Sequence, residues 1–206
     1  KRFLILFVIL MFLVGCGNKE EPTTQVPETQ NVEESTPPEI ESEVIDVEVE
    51  PEDNVPREYK NALKSAQNYI DMMAFSEQKL YDQLTSEYGE KYPAEAAQYA
   101  IENVEVDYNQ EALESAQNYI DMMAFSERKL FDQLTSELGE QFPAEIAQYA
   151  IDNLKVDYNQ EALEAAMNYQ EIMPMSDQQL FDQLTSEYGE QFTQAQAQYA
   201  IDNLQD

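Results

Sequence analysis

The sequence predicts an all-α fold: three tandem fifty-residue three-helix repeats, helix-turn-helix-like, after a disordered tether. Three observations carry that reading. From residue 57 the chain repeats every fifty residues without insertion or deletion. Ala62-Leu63, Ala112-Leu113 and Ala162-Leu163 open corresponding segments, Asp-Gln-Leu-Thr-Ser-Glu recurs at 82, 132 and 182, and Gln-Tyr-Ala-Ile closes each unit at 98, 148 and 198. Inside each unit the apolar residues follow helical spacing. Capping residues, glycine and proline then punctuate each unit at fixed offsets. The units are 57–106, 107–156 and 157–206.

In the first helix Ala62, Leu63, Ala66, Tyr69, Ile70 and Met73 recur at three- and four-residue steps and make one apolar stripe. Asp107-x-x-Gln110 and Asp157-x-x-Gln160 have the form of a capping box at the start of the later copies. Ser76 is expected to N-cap the second helix, whose buried side reads as Leu80, Tyr81, Leu84 and Tyr88. Three of the five glycines, Gly89, Gly139 and Gly189, share the position after that helix, which predicts a turn needing φ > 0 there. Pro93 and Pro143 fit the first turn of a third helix, and Thr193 caps it in the last copy. Ala97, Ala100, Ile101 and Val104 form that helix's apolar side. Tyr69, Tyr99, Met72, Met73 and the Phe75 turn are read as core. A unit of this size is marginal alone, and the connection from Asn103 to Asp107 is short, so neighbouring units are expected to touch and form a semi-rigid array.

The leader is different in kind. Lys1-Arg2, the apolar run Phe3 to Val14, and Leu13-Val14-Gly15-Cys16 read as a lipoprotein signal peptide over residues 1–15. The run is too short to span a bilayer, which needs about 20 apolar residues. Cleavage before Cys16 leaves the chain's one cysteine as the lipid acceptor, for a fatty acid such as palmitate, and puts everything after it outside the cytoplasm. Residues 17–56 hold six of the nine prolines, thirteen acids, one lysine and no aromatic residue. Such a stretch buries too little apolar surface to offset its ordering entropy. Residues 16–56 are therefore expected to be a lipidated, acidic, disordered tether spanning about 35 Å as a flexible coil.

Charge narrows the function classes. The chain carries −31 overall. The units carry five, three and no basic residues against nine, ten and ten acids, for net charges of −4, −7 and −10. That surface repels nucleic-acid phosphates, so a helix-turn-helix outline does not mean DNA binding here. It also repels anionic lipid, leaving a lipid chain to supply membrane attachment. The expected partners are cationic proteins, peptides or metal ions. With no histidine and the one cysteine lipidated, nucleophile–base pairs and nitrogen or sulfur metal sites are not expected. Nothing distinguishes a catalytic carboxylate pair or a calcium loop. No catalytic residue, metal site or cofactor is assigned.

The second helix supplies the candidate partner-binding residues. Asp82, Gln83 and Ser86 are read as projecting away from the Leu80–Leu84 side, and the same types recur as Asp132, Gln133, Ser136 and Asp182, Gln183, Ser186. Recent duplication alone explains this without any function, since the first two units agree at 35 of 50 positions and the second and third at 33; a repeated polar face for a protein partner is the functional reading. The charge gradient likewise fits either a solvated surface or a landing site for a cationic partner.

Met173-Pro174-Met175-Ser176, Leu180-Phe181-Asp182-Gln183-Leu184-Thr185-Ser186-Glu187-Tyr188-Gly189 and Ala197-Gln198-Tyr199-Ala200-Ile201-Asp202 resemble the repeat of the Ltp-type host-cell-surface-exposed lipoproteins of temperate phages and Gram-positive lactic bacteria. The resemblance covers all three units, and the lipobox and acidic tether fit the same layout. It implies a small helical repeat displayed on the cell membrane, non-enzymatic, whose best-known role is superinfection exclusion: an incoming phage adsorbs but its DNA fails to enter. The partner it suggests is a cationic phage protein such as the tape-measure component. The alternative is a general surface lipoprotein that binds a host, wall or cationic peptide partner. The chain departs from the family pattern in having three units rather than one or two, and in Tyr108 and Tyr158 where tryptophan often precedes the asparagine.

Overall fold

Residues 54–204 are described by a computed structural model. The signal peptide, Cys16 and the tether as far as residue 53 lie outside the described residues. Among the described residues there are nine helices and no strand. The first repeat comprises α1 (Arg57–Ile70), α2 (Glu77–Thr85) and α3 (Ala94–Asn103). The second comprises α4 (Tyr108–Met122), α5 (Glu127–Thr135) and α6 (Ala144–Asn153), and the third α7 (Tyr158–Ile172), α8 (Asp177–Thr185) and α9 (Gln194–Asn203).

Local chemistry sets the helix starts. Ser76, Ser126 and Ser176 each accept the backbone N–H three residues on, the N-cap role expected of them. Pro93 and Pro143 sit at the cap of the third helix rather than inside its first turn, with extended ψ of 147° and 143°. Thr193 replaces proline there with a full capping box, its hydroxyl accepting from Gln196 N while Gln196 Oε1 accepts from Thr193 N. The box expected at Asp107 and Asp157 does not form. Each aspartate accepts from the second residue of the helix instead, and the glutamine reaches away to a tyrosine of the third helix, Gln110 to Tyr149 Oη and Gln160 to Tyr199 Oη.

Each repeat has its own core. In the first, Ala62 and Ala66 of α1 and Ala96, Ala97 and Ala100 of α3 are fully buried, together with Leu80 and Leu84 of α2. Alanine at the facing positions lets α1 and α3 pack along each other more extensively than either packs on α2. The two leucines of the short helix then fill the space left beside them. The pattern repeats around Leu130 and Leu134, and around Leu180 and Leu184. Phe142 and Phe192 add buried rings where the first repeat has half-buried Tyr92.

Two burial expectations are overturned. Tyr88, placed on the buried side by helical spacing, is fully exposed, as are its counterparts Leu138 and Tyr188. The helix ends at Thr85, so the spacing no longer applies three residues later. Met72 and Met73 lie outside the core at 67% and 54% exposure, as do Met122, Met123 and Met173. Phe75 does pack on the core, and its ring meets Tyr69 edge-on at 5.6 Å.

The glycine turn is built differently from its expected form. No described glycine has φ > 0; the left-handed residues are Lys91, Gln141 and Gln191, at 58–59°. Glycine is needed two residues earlier because the backbone folds onto the preceding helix. A Cβ at Gly89 would lie 2.0 Å from the Gln83 carbonyl oxygen, and the same clash recurs at Gly139 and Gly189. That carbonyl accepts the Glu90 amide, which closes the turn.

Candidate partner-binding surface

The nine residues singled out in the second helices divide by role. Gln83, Gln133 and Gln183 do not face solvent freely. Each donates its Nε2 to the tyrosine of the first helix, Tyr69, Tyr119 or Tyr169, at 3.0 Å. Ser86 and Ser186 accept the amide of the exposed tyrosine two residues on, and all three serines accept the glycine amide through their carbonyls. These two positions hold the turn. The aspartates are exposed in all three repeats, and Ser136 is exposed in the second; Asp82 and Asp182 accept from the glutamine one turn earlier, Gln78 and Gln178.

The tyrosine that receives the glutamine also donates, and its acceptor is not among the candidate residues. Tyr69 Oη donates to Glu90 Oε1 at 2.7 Å, Tyr119 to Glu140 at 2.5 Å and Tyr169 to Glu190 at 2.8 Å. The tyrosine therefore fixes one oxygen of a glutamate carried on the glycine turn. In the second and third repeats the other oxygen binds a lysine of the preceding repeat: Lys79 Nζ lies 2.9 Å from Glu140 Oε2, and Lys129 Nζ lies 2.6 Å from Glu190 Oε2. The two junctions share a second contact, in which Glu111 and Glu161 accept the amides of Phe75 and Phe125 across the boundary. Arg128 adds an exposed pair with Glu187 at 3.9 Å, and Lys129 lies 5.9 Å from the Phe125 ring centroid.

The ends of the array are not equivalent to its junctions. Gln179 stands in the third repeat where Lys79 and Lys129 stand in the others, and Met175 replaces the phenylalanine. The Met175 amide bonds to Gln170 Oε1 of its own repeat at 3.1 Å. At the other end, Asn61 occupies the position of Glu111 and Glu161. Ser76 and Ser126 are covered by the next repeat and buried, whereas Ser176 is exposed.

The sequence profile of the host cell surface-exposed lipoproteins, of Ltp type, matches residues 57–104, 107–154 and 157–204. The chain belongs to this family. None of the curated proteins matches it. Among solved structures, that of Ltp, a superinfection exclusion protein from the Streptococcus thermophilus temperate phage TP-J34, is similar at 40% identity and a TM-score of 0.45, covering 49% of this chain and 99% of that one.

The electrostatics of this lipoprotein follow from its junctions. Burial and the neighbouring Glu140 push the Tyr119 hydroxyl up to about 12, so it stays a donor throughout the physiological range. Tyr69 is raised chiefly by its bond to Glu90, and Tyr169 chiefly by burial. Glu111 and Glu161 lie above the usual carboxylate value because they are partly buried, offset in part by the amides they accept. Tyr108 and Tyr158 are pushed to about 12 by burial, with Glu77 and Glu111, or Glu127 and Glu161, adding to the effect. No helix of the described residues is long and apolar enough to cross a membrane.

Proposed function

We propose that this lipoprotein is a non-enzymatic, membrane-anchored exclusion protein that blocks injection of DNA by an incoming phage. It is held through a lipid on Cys16 at the extracellular face of a Gram-positive cell membrane. Its acidic repeats engage a cationic phage protein, for which the tape-measure component is the natural candidate, and they do not bind nucleic acid. The single observation that carries this reading is membership of the host cell surface-exposed lipoproteins, matched once by every repeat. The lipobox and the acidic leader supply the anchor and the spacer that such a display needs.

The charge distribution supports the choice of partner class. The repeat furthest along the chain from the anchor is the most acidic and lacks any Lys or Arg. A surface of that kind attracts a cationic chain at long range and repels nucleic acid.

The anchor is tested with the Cys16→Ala chain in a phage-sensitive host. Incorporation of radiolabelled fatty acid and protection against phage should both be lost. Protection that persists without labelled lipid would overturn the anchored reading.

A further inference from the structure

We infer that Tyr69, Gln83 and Glu90 of the first repeat form an open socket for a lysine side chain presented by a partner protein. The chain holds two filled copies of the same socket. In the second repeat Gln133 donates to Tyr119, Tyr119 to one oxygen of Glu140, and Lys79 of the preceding repeat takes the other oxygen. In the third repeat Gln183, Tyr169 and Glu190 receive Lys129 in the same way. The first repeat has the complete receiving set, with Gln83 to Tyr69 at 3.0 Å and Tyr69 to Glu90 at 2.7 Å. Residues 1–56 hold no copy of the repeat to supply the lysine, and Glu90 makes no ion pair among the described residues. Glu90 is correspondingly exposed, whereas Glu140 and Glu190 are partly covered.

The geometry selects the ligand. Tyrosine already holds one carboxylate oxygen, so the glutamate offers a single oxygen to the incoming cation. That suits the point charge of an ammonium, and not the two-pronged fork of a guanidinium, which binds a carboxylate best through both oxygens. A second copy of this chain is a poor occupant, because Lys79 and Lys129 are already paired and its third repeat carries Gln179 where the lysine is required. The occupant is therefore a lysine-bearing segment of a different, cationic protein. In its choice of partner the inference rests on the proposed function. The chemistry of the socket stands apart from it.

Two measurements separate the two claims. In the first, the lysine-bearing end is restored on the full lipidated chain in detergent micelles by Gln170→Ile, Met175→Phe and Gln179→Lys, matching the first two repeats. A zero-length carbodiimide, which joins an amine to a carboxylate in contact, then reports pairing between copies. The restored chain should give at least fivefold more dimer than wild type, crosslinked between position 179 of one copy and Glu90 of the other. Adding Glu90→Gln should return it to the wild-type level, and Gln179→Arg in place of Gln179→Lys should give less self-association by light scattering. A restored chain that pairs no more than wild type, or pairing indifferent to Glu90→Gln, overturns the socket. In the second, Glu90→Gln alone is displayed on phage-challenged cells. Plaque formation should rise at least tenfold over cells displaying wild type at equal surface level. If wild type protects and Glu90→Gln protects equally, the socket's role fails and the exclusion reading stands. If wild type does not protect, the exclusion reading fails and the crosslink decides the socket.

Discussion

Gln170 Oε1 accepts the Met175 amide at 3.1 Å, performing inside the third repeat the task that Glu111 and Glu161 perform across the two junctions. A head-to-tail interface that does not close generates an open filament unless its ends are altered. Here the third repeat carries glutamine at the lysine position and satisfies its amide internally, and the first has asparagine in place of the accepting glutamate. The outer faces of the first and third repeats therefore do not complement each other as the junction faces do.

Gln170 also donates Nε2 to the Met175 carbonyl, so Gln170→Ile removes two partly buried hydrogen bonds. We expect a loss of about 1–2 kcal/mol in urea-induced unfolding, the usual net worth of such a pair. No loss would show that water replaces the side chain without cost.

The junction ion pair is partly screened, with side-chain exposure of 36% at Lys129 and 14% at Glu190. A double-mutant cycle of Lys129→Met and Glu190→Gln should give a coupling of about 0.5–1 kcal/mol. It should shrink as salt is raised. Coupling near zero at low salt would mean that the second junction is held by Glu161, the exposed Arg128–Glu187 pair and packing.

Two residues of one turn should respond with opposite signs. Gly139→Ala drives a Cβ into the Gln133 carbonyl, so we expect a loss of about 1–3 kcal/mol. Gln141→Gly relieves a left-handed side-chain residue at φ 58° and should stabilise by up to about 1 kcal/mol. Thermal unfolding of the two variants checks both. If Gly139→Ala is tolerated, the close approach does not govern the turn.

Tyr108, Tyr119 and Tyr158 all titrate near 12 when folded, against an ordinary 10.0 when unfolded. The folded chain thus holds these protons more tightly. Their contribution to stability is fully present below pH 10 and is lost as pH rises towards 12. Tyrosinate absorbance should show a late-titrating class of tyrosines that merges with the rest once the chain unfolds. Titration of every tyrosine near the ordinary value in the folded chain would contradict their burial.

The helices and their caps are legible in the sequence because each depends on neighbours a few residues apart. Ser76 capping Lys79 and the Leu80–Leu84 pair follow from helical geometry alone. The turn after α2 is not legible in that way. Glycine there suggests positive φ, but the close contact with Gln83 and the transfer of positive φ to Lys91 depend on how the chain folds back. The methionines read as core for their apolarity, and Met72 and Met73 fall beyond the stripe where the helix ends. Lys79 and Glu140 are 61 residues apart, beyond any local pattern. A signal does exist in the differences between repeats: Lys79 and Lys129 against Gln179, and Asn61 against Glu111 and Glu161, mark which faces meet a neighbour. Gln83 and Ser86 are identical in every copy, but for the turn they hold, which leaves Asp82, Asp132 and Asp182 as the position exposed in every repeat.

The most direct test of the account counts phage adsorption and delivery of labelled phage DNA separately in one culture of cells displaying the lipoprotein. The account predicts adsorption equal to that of cells without it and DNA delivery reduced at least tenfold. The triple Asp82, Asp132 and Asp182 to lysine variant should restore part of that delivery, because it reverses the exposed charge on all three repeats. Equal loss of adsorption and delivery would indicate masking of the phage receptor. Normal delivery in the presence of the wild-type chain would contradict the exclusion function outright.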